Sequence, residues 1–127
     1  MALALSSTLR NTRATDIITA AGSGSKLKFY NGTRPATGAA PAGTLLATLT
    51  ITGVFGTATN GVIDVNEVCT QTNSAHVSGT PTFVRITTSA DVFVADMSIP
   101  GDFAFSGTIA TGVDITYNAS TITEGNA

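Results

Sequence analysis

The stretch Lys26-Leu-Lys-Phe-Tyr30 alternates polar and apolar side chains over five residues. Leu27 and Phe29 would face one side of a strand, while the two lysines and the tyrosine would face the other. The pair Asn31-Gly32 follows at once and is a strong turn signal. This segment therefore predicts a strand in an antiparallel sheet with one covered face.

Further strands are predicted on both sides of a loop at residues 31–43, which is rich in Gly, Pro and Ala. Thr44–Thr52 alternates in the same way, with Leu45, Ala47, Leu49 and Ile51 on one face. The remaining predicted strands are Val62–Thr70, a hairpin of Thr82–Thr87 and Val92–Ser98, and three short segments, Phe103–Phe105, Val113–Tyr117 and Ser120–Thr123. About eight strands with frequent turns predict a mainly β fold, either a β-sandwich or a jelly-roll-like barrel.

Residues 6–21 carry the one helical pattern that we identify. Ser6 or Ser7 is suited to the N-cap, and Gly22 is suited to end the helix. Residues 22–25 then form a short connector of Gly and Ser. We therefore expect residues 1–25 to form an N-terminal arm with a short helix, and residues 26–127 to form a single β-domain.

Charge is divided unevenly along the chain. Residues 1–34 hold five basic residues against one acidic residue, a balance of +4, and the rest holds one basic residue against seven acidic ones, a balance of −6. Only 11% of residues are charged, compared with roughly 25% in typical soluble proteins. Such a surface favours a protein that packs against copies of itself or against a scaffold. A sequence pI of about 5.0 argues against nucleic acid as a partner.

Residues for catalysis are sparse. His76 and Cys69 are the single histidine and the single cysteine, so the sequence predicts no metal site, no cofactor and no intrachain disulfide. Asp96 and Asp114 are the distant carboxylates that an acid–base hydrolase site would need, but no polar cluster accompanies them. We therefore expect a protein that is not an enzyme. No apolar run approaches the length of a membrane span, so no membrane partner is expected.

Several segments, taken in order, resemble a group of small virion proteins encoded by tailed bacteriophages. The segments that carry the likeness are Leu5–Asn11, Lys26–Pro35, Gly43–Leu49, Gly79–Ile86 and Ser120–Asn126. The likeness spans most of the chain, although residues 97–112 are shorter than the group's pattern. It implies a short helix followed by a β-domain, and a structural protein of the virion that is assembled in the host cytoplasm.

Within that group, the resemblance favours a head decoration (cement) protein that binds the major capsid protein on the outer shell. We expect the N-terminal arm to reach a neighbouring subunit, with basic side chains meeting an acidic surface and apolar ones buried. The predicted contact residues are Leu3, Leu5, Leu9, Arg10, Arg13, Ile17, Lys26, Lys28 and Arg34. A homo-oligomer is expected, with a trimer favoured and a dimer possible.

Two other functions fit the same sequence. The first is a tail, neck or fibre-associated component of the virion. The second is a carbohydrate-binding β-sandwich, for which Tyr30 and Tyr117 are the obvious aromatic candidates. The sequence also leaves open whether the loop at residues 31–43 faces the shell or the solvent.

Overall fold

The computed structural model describes residues 5–36, 38–99, 105, 107–117 and 121–123. One α-helix precedes the strands: α1 covers Ser7–Ala21. The strands are β1 Lys26–Tyr30, β2 Leu45–Ile51, β3 Gly56–Thr59, β4 Val62–Val65, β5 Cys69–Gln71, β6 Phe83–Thr87, β7 Phe93–Ser98 and β8 Thr121–Thr123, with a 3-10 helix at Asn73–Ala75 between β5 and β6.

The strands form two antiparallel sheets, which confirms the mainly β prediction. The larger sheet has the order β5-β2-β1-β6-β7, and the smaller one has the order β3-β4-β8. Strand β1 is the centre of the larger sheet, because Leu27 lies opposite Leu49 of β2 and opposite Ile86 of β6. The two sheets do not form a closed barrel.

The alternation in β1 places the core as expected. Leu27 and Phe29 are fully buried, and they belong to one hydrophobic cluster with Leu49 of β2 and Ile63 of β4. This cluster therefore takes side chains from both sheets. Burying a side chain of this size contributes about 1.5–3 kcal/mol, so the cluster is the main source of stability.

Helix α1 begins and ends where its caps predict. The Ser6 Oγ accepts a hydrogen bond from the Leu9 N–H at 3.1 Å, and the Gly22 N–H donates to the Ile18 carbonyl at 3.1 Å. Gly22 has a φ of +72°, a conformation that glycine adopts without strain. The helix packs on the β3–β4 hairpin, and Ala14 is fully buried. Its small side chain allows a close approach between helix and sheet.

One predicted strand, Val62–Thr70, is wrong because the segment divides at Asn66. Its first part is β4 in the smaller sheet, and its last part is the start of β5 in the larger sheet. Strand β3 was not predicted from the sequence, and it pairs with β4 through a two-residue turn at Asn60-Gly61. Both turn residues have positive φ, +50° and +81°, as a tight hairpin turn of this kind requires.

Strand β2 departs from strict alternation at its first residues. The register with β1 shifts between Phe29 and Tyr30, and this irregularity turns Leu46 into the core. Leu45, which the alternation predicted to be buried, is 39% exposed. The predicted strand Val113–Tyr117 is also wrong, because these residues are irregular. The predicted strand Phe103–Phe105 lies largely outside the described residues.

Candidate interaction surfaces

The side of the larger sheet opposite the hydrophobic cluster carries mostly polar side chains, and we call it the polar face. Two rows cross its strands. In the first row Thr70 lies opposite Thr50, and Thr50 lies opposite Lys26. The second row joins Thr48, Lys28, Arg85 and Asp96 in the same manner. Residues of one row share a face because side chains alternate along each strand.

Lys26 and Lys28 meet at Asp91 on this face. Their ammonium groups lie 3.0 Å and 2.9 Å from the same Asp91 carboxylate oxygen. The hydrogen bonds from Lys28 and then Lys26 lower the pKa of Asp91 below its ordinary value. Two ammonium groups share one carboxylate, so this cluster keeps one positive charge.

Arg85 and Asp96 form a second ion pair, which is buried. The Arg85 Nε and Nη2 donate to the two Asp96 oxygens, each at 2.8 Å, and Nη2 also donates to the Ala39 carbonyl at 2.6 Å. The guanidinium lies 4.8 Å from the ring centroid of Phe93. The hydrogen bond to Asp96 raises the pKa of Arg85. The pair therefore fastens the loop at residues 31–43 to β6 and β7.

Asn66 makes five hydrogen bonds, and they tie together the segments that connect the two sheets. Its backbone N–H donates to the Phe55 carbonyl at 2.8 Å, and its carbonyl accepts from the Tyr117 hydroxyl at 2.8 Å. The side-chain amide nitrogen donates to the carbonyls of residues 52 and 54 at 2.9 Å and 3.1 Å. The side-chain oxygen accepts from the Val68 N–H at 3.0 Å. This network holds Val54 and Val68 on the surface, where they are 60% and 64% exposed.

A groove of about 490 Å³ opens on the polar face and is lined by β1, β2, β5 and the 3-10 helix. Its lining includes Lys26, four threonines and His76. The threonines are Thr48, Thr50, Thr70 and Thr72. His76 directly follows the 3-10 helix and is only 3% exposed, and its Nδ1 lies 3.1 Å from the Val113 carbonyl. Its Nε2 has no hydrogen-bond partner among the described residues.

The predicted contact residues do not lie on a single element. Leu9 and Arg13 are exposed on α1, Leu5 and Arg10 are half-buried near its start, and Ile17 packs against the core. Lys26 and Lys28 lie on the polar face, and Arg34 is exposed in the loop at residues 31–43. Leu3 lies outside the described residues. The structure therefore brings the two lysines together and places the two helix arginines elsewhere, on α1.

The candidate acidic residues have different partners. Asp96 pairs with Arg85, and Asp114 accepts a hydrogen bond from the Asn73 amide at 2.8 Å. Tyr30 stacks on Phe83 at a centroid distance of 5.2 Å, and Tyr117 is 5% exposed, so neither forms an open aromatic platform. Within the described ranges, no group of three or more His, Cys, Asp or Glu could hold a metal ion.

Sequence reasoning missed Asn66 and Gln71, which organise the loops around these surfaces. The Asn at the end of an apolar run was a usable turn signal, whereas nothing in the sequence marked Gln71. Among the described residues, the helix is too short and too polar to cross a bilayer. No protein-family model matches the chain, and neither the curated proteins nor the solved structures include a match.

Proposed function

We propose that the protein is a structural component of a bacteriophage virion, and specifically a capsid decoration (cement) protein. It would bind the major capsid protein on the outer shell and stabilise the head through protein–protein contacts. The virion assignment is based on the resemblance of segments such as Lys26–Pro35 and Gly79–Ile86 to small virion proteins of tailed phages. The location in the virion, after assembly in the host cytoplasm, belongs to the same proposal.

The observation that carries the binding role is the pair of exposed valines held by Asn66. Val54 and Val68 are apolar, more than half exposed and fixed by a network that uses every polar group of Asn66. A rigid apolar surface loses little conformational entropy on binding. Because the valines are already partly buried, burying the rest of each side chain against a partner contributes about 1–2 kcal/mol. Many repeated contacts of this size hold a subunit firmly on a lattice.

For the fold, we propose a two-layer β-sandwich that assembles as a homo-oligomer, with a trimer favoured over a dimer. The hydrophobic cluster shared by the two sheets supports the sandwich. On the helix, Leu9 is 46% exposed and Arg13 is also exposed, so these residues are the part of the N-terminal segment best placed to contact a neighbour. Ala14 and Ala21 belong instead to the core, so point substitutions at Leu9 test this contact better than removal of the helix.

Virions grown with a tagged copy of this chain provide the test. We expect the label on the head, and we expect Val54→Ser with Val68→Ser to reduce head occupancy about tenfold or more while the protein stays folded. Val92→Ser is the matched control, because Val92 is 59% exposed on the β6–β7 turn. Label on the tail, or absence of the chain from purified virions, would contradict the decoration role.

A further inference from the structure

We infer that the groove on the polar face binds an acidic saccharide, a chain of sugar rings that carry carboxylate groups. Its volume of about 490 Å³ lies within the range of roughly 300–1,000 Å³ found for small-molecule sites. The inference does not depend on the proposed virion role, because it concerns a different surface from the one formed by Val54 and Val68.

The threonine hydroxyls define the kind of ligand. Thr48 and Thr50 line the groove from β2, Thr70 lines it from β5, and Thr72 lines it from the residue after β5. None of the four hydroxyls makes a hydrogen bond to another group in the part of the chain that the structure describes. Each hydroxyl can donate one hydrogen bond and accept two, so the row is complementary to a ligand that carries many hydroxyl groups.

The charge of the groove selects an acidic ligand over a neutral one. Lys26 lines the groove, and together with Lys28 it shares the single carboxylate of Asp91, which leaves one positive charge uncompensated. An ammonium group can donate three hydrogen bonds, and the structure shows one of them, to Asp91. A ligand carboxylate can accept a further one, and charge-assisted hydrogen bonds of this kind are stronger than neutral ones.

His76 provides a second, independent indication of a ligand. A carbonyl oxygen only accepts, so the Nδ1 that faces Val113 carries the hydrogen, and the Nε2 of the ring needs a different partner. This Nε2 is buried without a partner, which is costly for a polar atom. His76 lines the groove, and a ligand hydroxyl at this end, which can both donate and accept, is a suitable partner for the Nε2. Leu45 and the threonine methyl groups supply apolar contacts for the sugar ring.

A titration of the full chain with trigalacturonic acid, followed by backbone amide NMR shifts, tests the inference. We expect shifts at Thr48, Thr50 and Thr70, and weaker binding when salt rises from about 0.15 to about 0.5 M. Thr50→Val keeps the shape and the strand propensity, and it should weaken binding about fivefold through the loss of the hydroxyl. Thr57→Val, in the other sheet, is its control and should leave binding unchanged.

A pair of lysine variants separates the groove from the ion pair. Lys26→Met removes a groove cation and should weaken binding about tenfold. Lys28→Met removes the other cation of the same Asp91 cluster, but Lys28 does not line the groove, so the effect should be smaller.

Equal effects of the two lysine variants would contradict the predicted position of the carboxylate. Equal affinity for maltotriose would contradict the acidic class, and equal or tighter binding of a thymidine oligonucleotide would contradict the saccharide class. Absence of amide shifts up to about 20 mM trigalacturonic acid would mean a dissociation constant far above the millimolar range. That result would overturn the site. Head occupancy in virions would be unaffected by any of these outcomes.

Discussion

The side chain of Gln71 pairs with both backbone groups of Ile115. Its amide nitrogen donates to the Ile115 carbonyl at 2.9 Å, and its amide oxygen accepts from the Ile115 N–H at 2.7 Å. Gln71 ends the edge strand β5, so its side chain does for residues 113–117 what a neighbouring strand would do through its backbone. It thereby fastens an irregular segment to the edge of the larger sheet.

Replacing Gln71 by alanine should lower the free energy of unfolding by about 1–3 kcal/mol, because the substitution leaves the N–H and the carbonyl of buried Ile115 without partners. Urea denaturation of Gln71→Ala measures the loss. Ser74→Ala, an exposed change in the adjacent 3-10 helix, should stay within about 0.5 kcal/mol of the wild type. A Gln71→Ala variant as stable as this control would show that the two hydrogen bonds do not hold residues 113–117.

The pairing of Gln71 with Ile115 shows why some elements could be predicted from the sequence and another could not. The helix, β1, and the hairpin of β6 and β7 were predictable, because caps, alternation and turn residues act over a few neighbours. The segment Val113–Tyr117 has the alternation of a strand, yet its backbone bonds to a side chain 44 residues away. Local pattern carries no information about such a partner, so the segment was assigned to a strand.

The predicted contact residues show the same dependence on a partner that is distant in the sequence. The charge division of the sequence suggested that the basic side chains seek an acidic surface, and for Lys26 and Lys28 that acid is Asp91 of the same chain. Asp91 follows Lys26 by 65 positions and lies on the turn between β6 and β7. The strand order that places this turn beside β1 was not deducible from alternation, whereas the outward direction of both lysines was.

Tyr117 should make the protein sensitive to alkaline pH. Burial raises the pKa of Tyr117 above its ordinary value of about 10, and burial also raises the pKa of the neighbouring Cys69. The folded state therefore keeps protons that the unfolded state loses, so stability is intact at neutral pH and falls as the pH rises from about 9 upward. The slope is at most about 1.4 kcal/mol per pH unit for each group.

Tyr117→Phe should flatten this alkaline decline, although it also removes the hydrogen bond to the Asn66 carbonyl and costs about 1 kcal/mol at neutral pH. Urea denaturation at a series of pH values between about 7 and 11 gives both quantities. Tyr30→Phe removes a phenol but leaves the buried one in place, and it serves as the control. An unchanged slope in Tyr117→Phe would assign the alkaline decline to other groups.

The ion pair of Arg85 and Asp96 should behave as a coupled unit, because the two side chains are only 10% and 6% exposed. Removing either partner leaves a buried charge without its counter-charge, and breaking a buried pair in this way costs about 3–5 kcal/mol. Arg85→Ala and Asp96→Ala should each be strongly destabilising. The double variant should lose much less than the two single losses together, because it leaves no unpaired charge in the interior.

A double-mutant cycle from urea denaturation measures this coupling, and we expect it to persist when salt is raised, since water and ions hardly reach the pair. The pair of Lys26 and Asp91 provides the comparison, because Asp91 is 52% exposed and its coupling should be weaker and should decrease with salt. Additive losses at Arg85 and Asp96 would show that the two residues stabilise the fold independently. The Arg85 side chain would then act mainly through Ala39 and Phe93, which it also contacts.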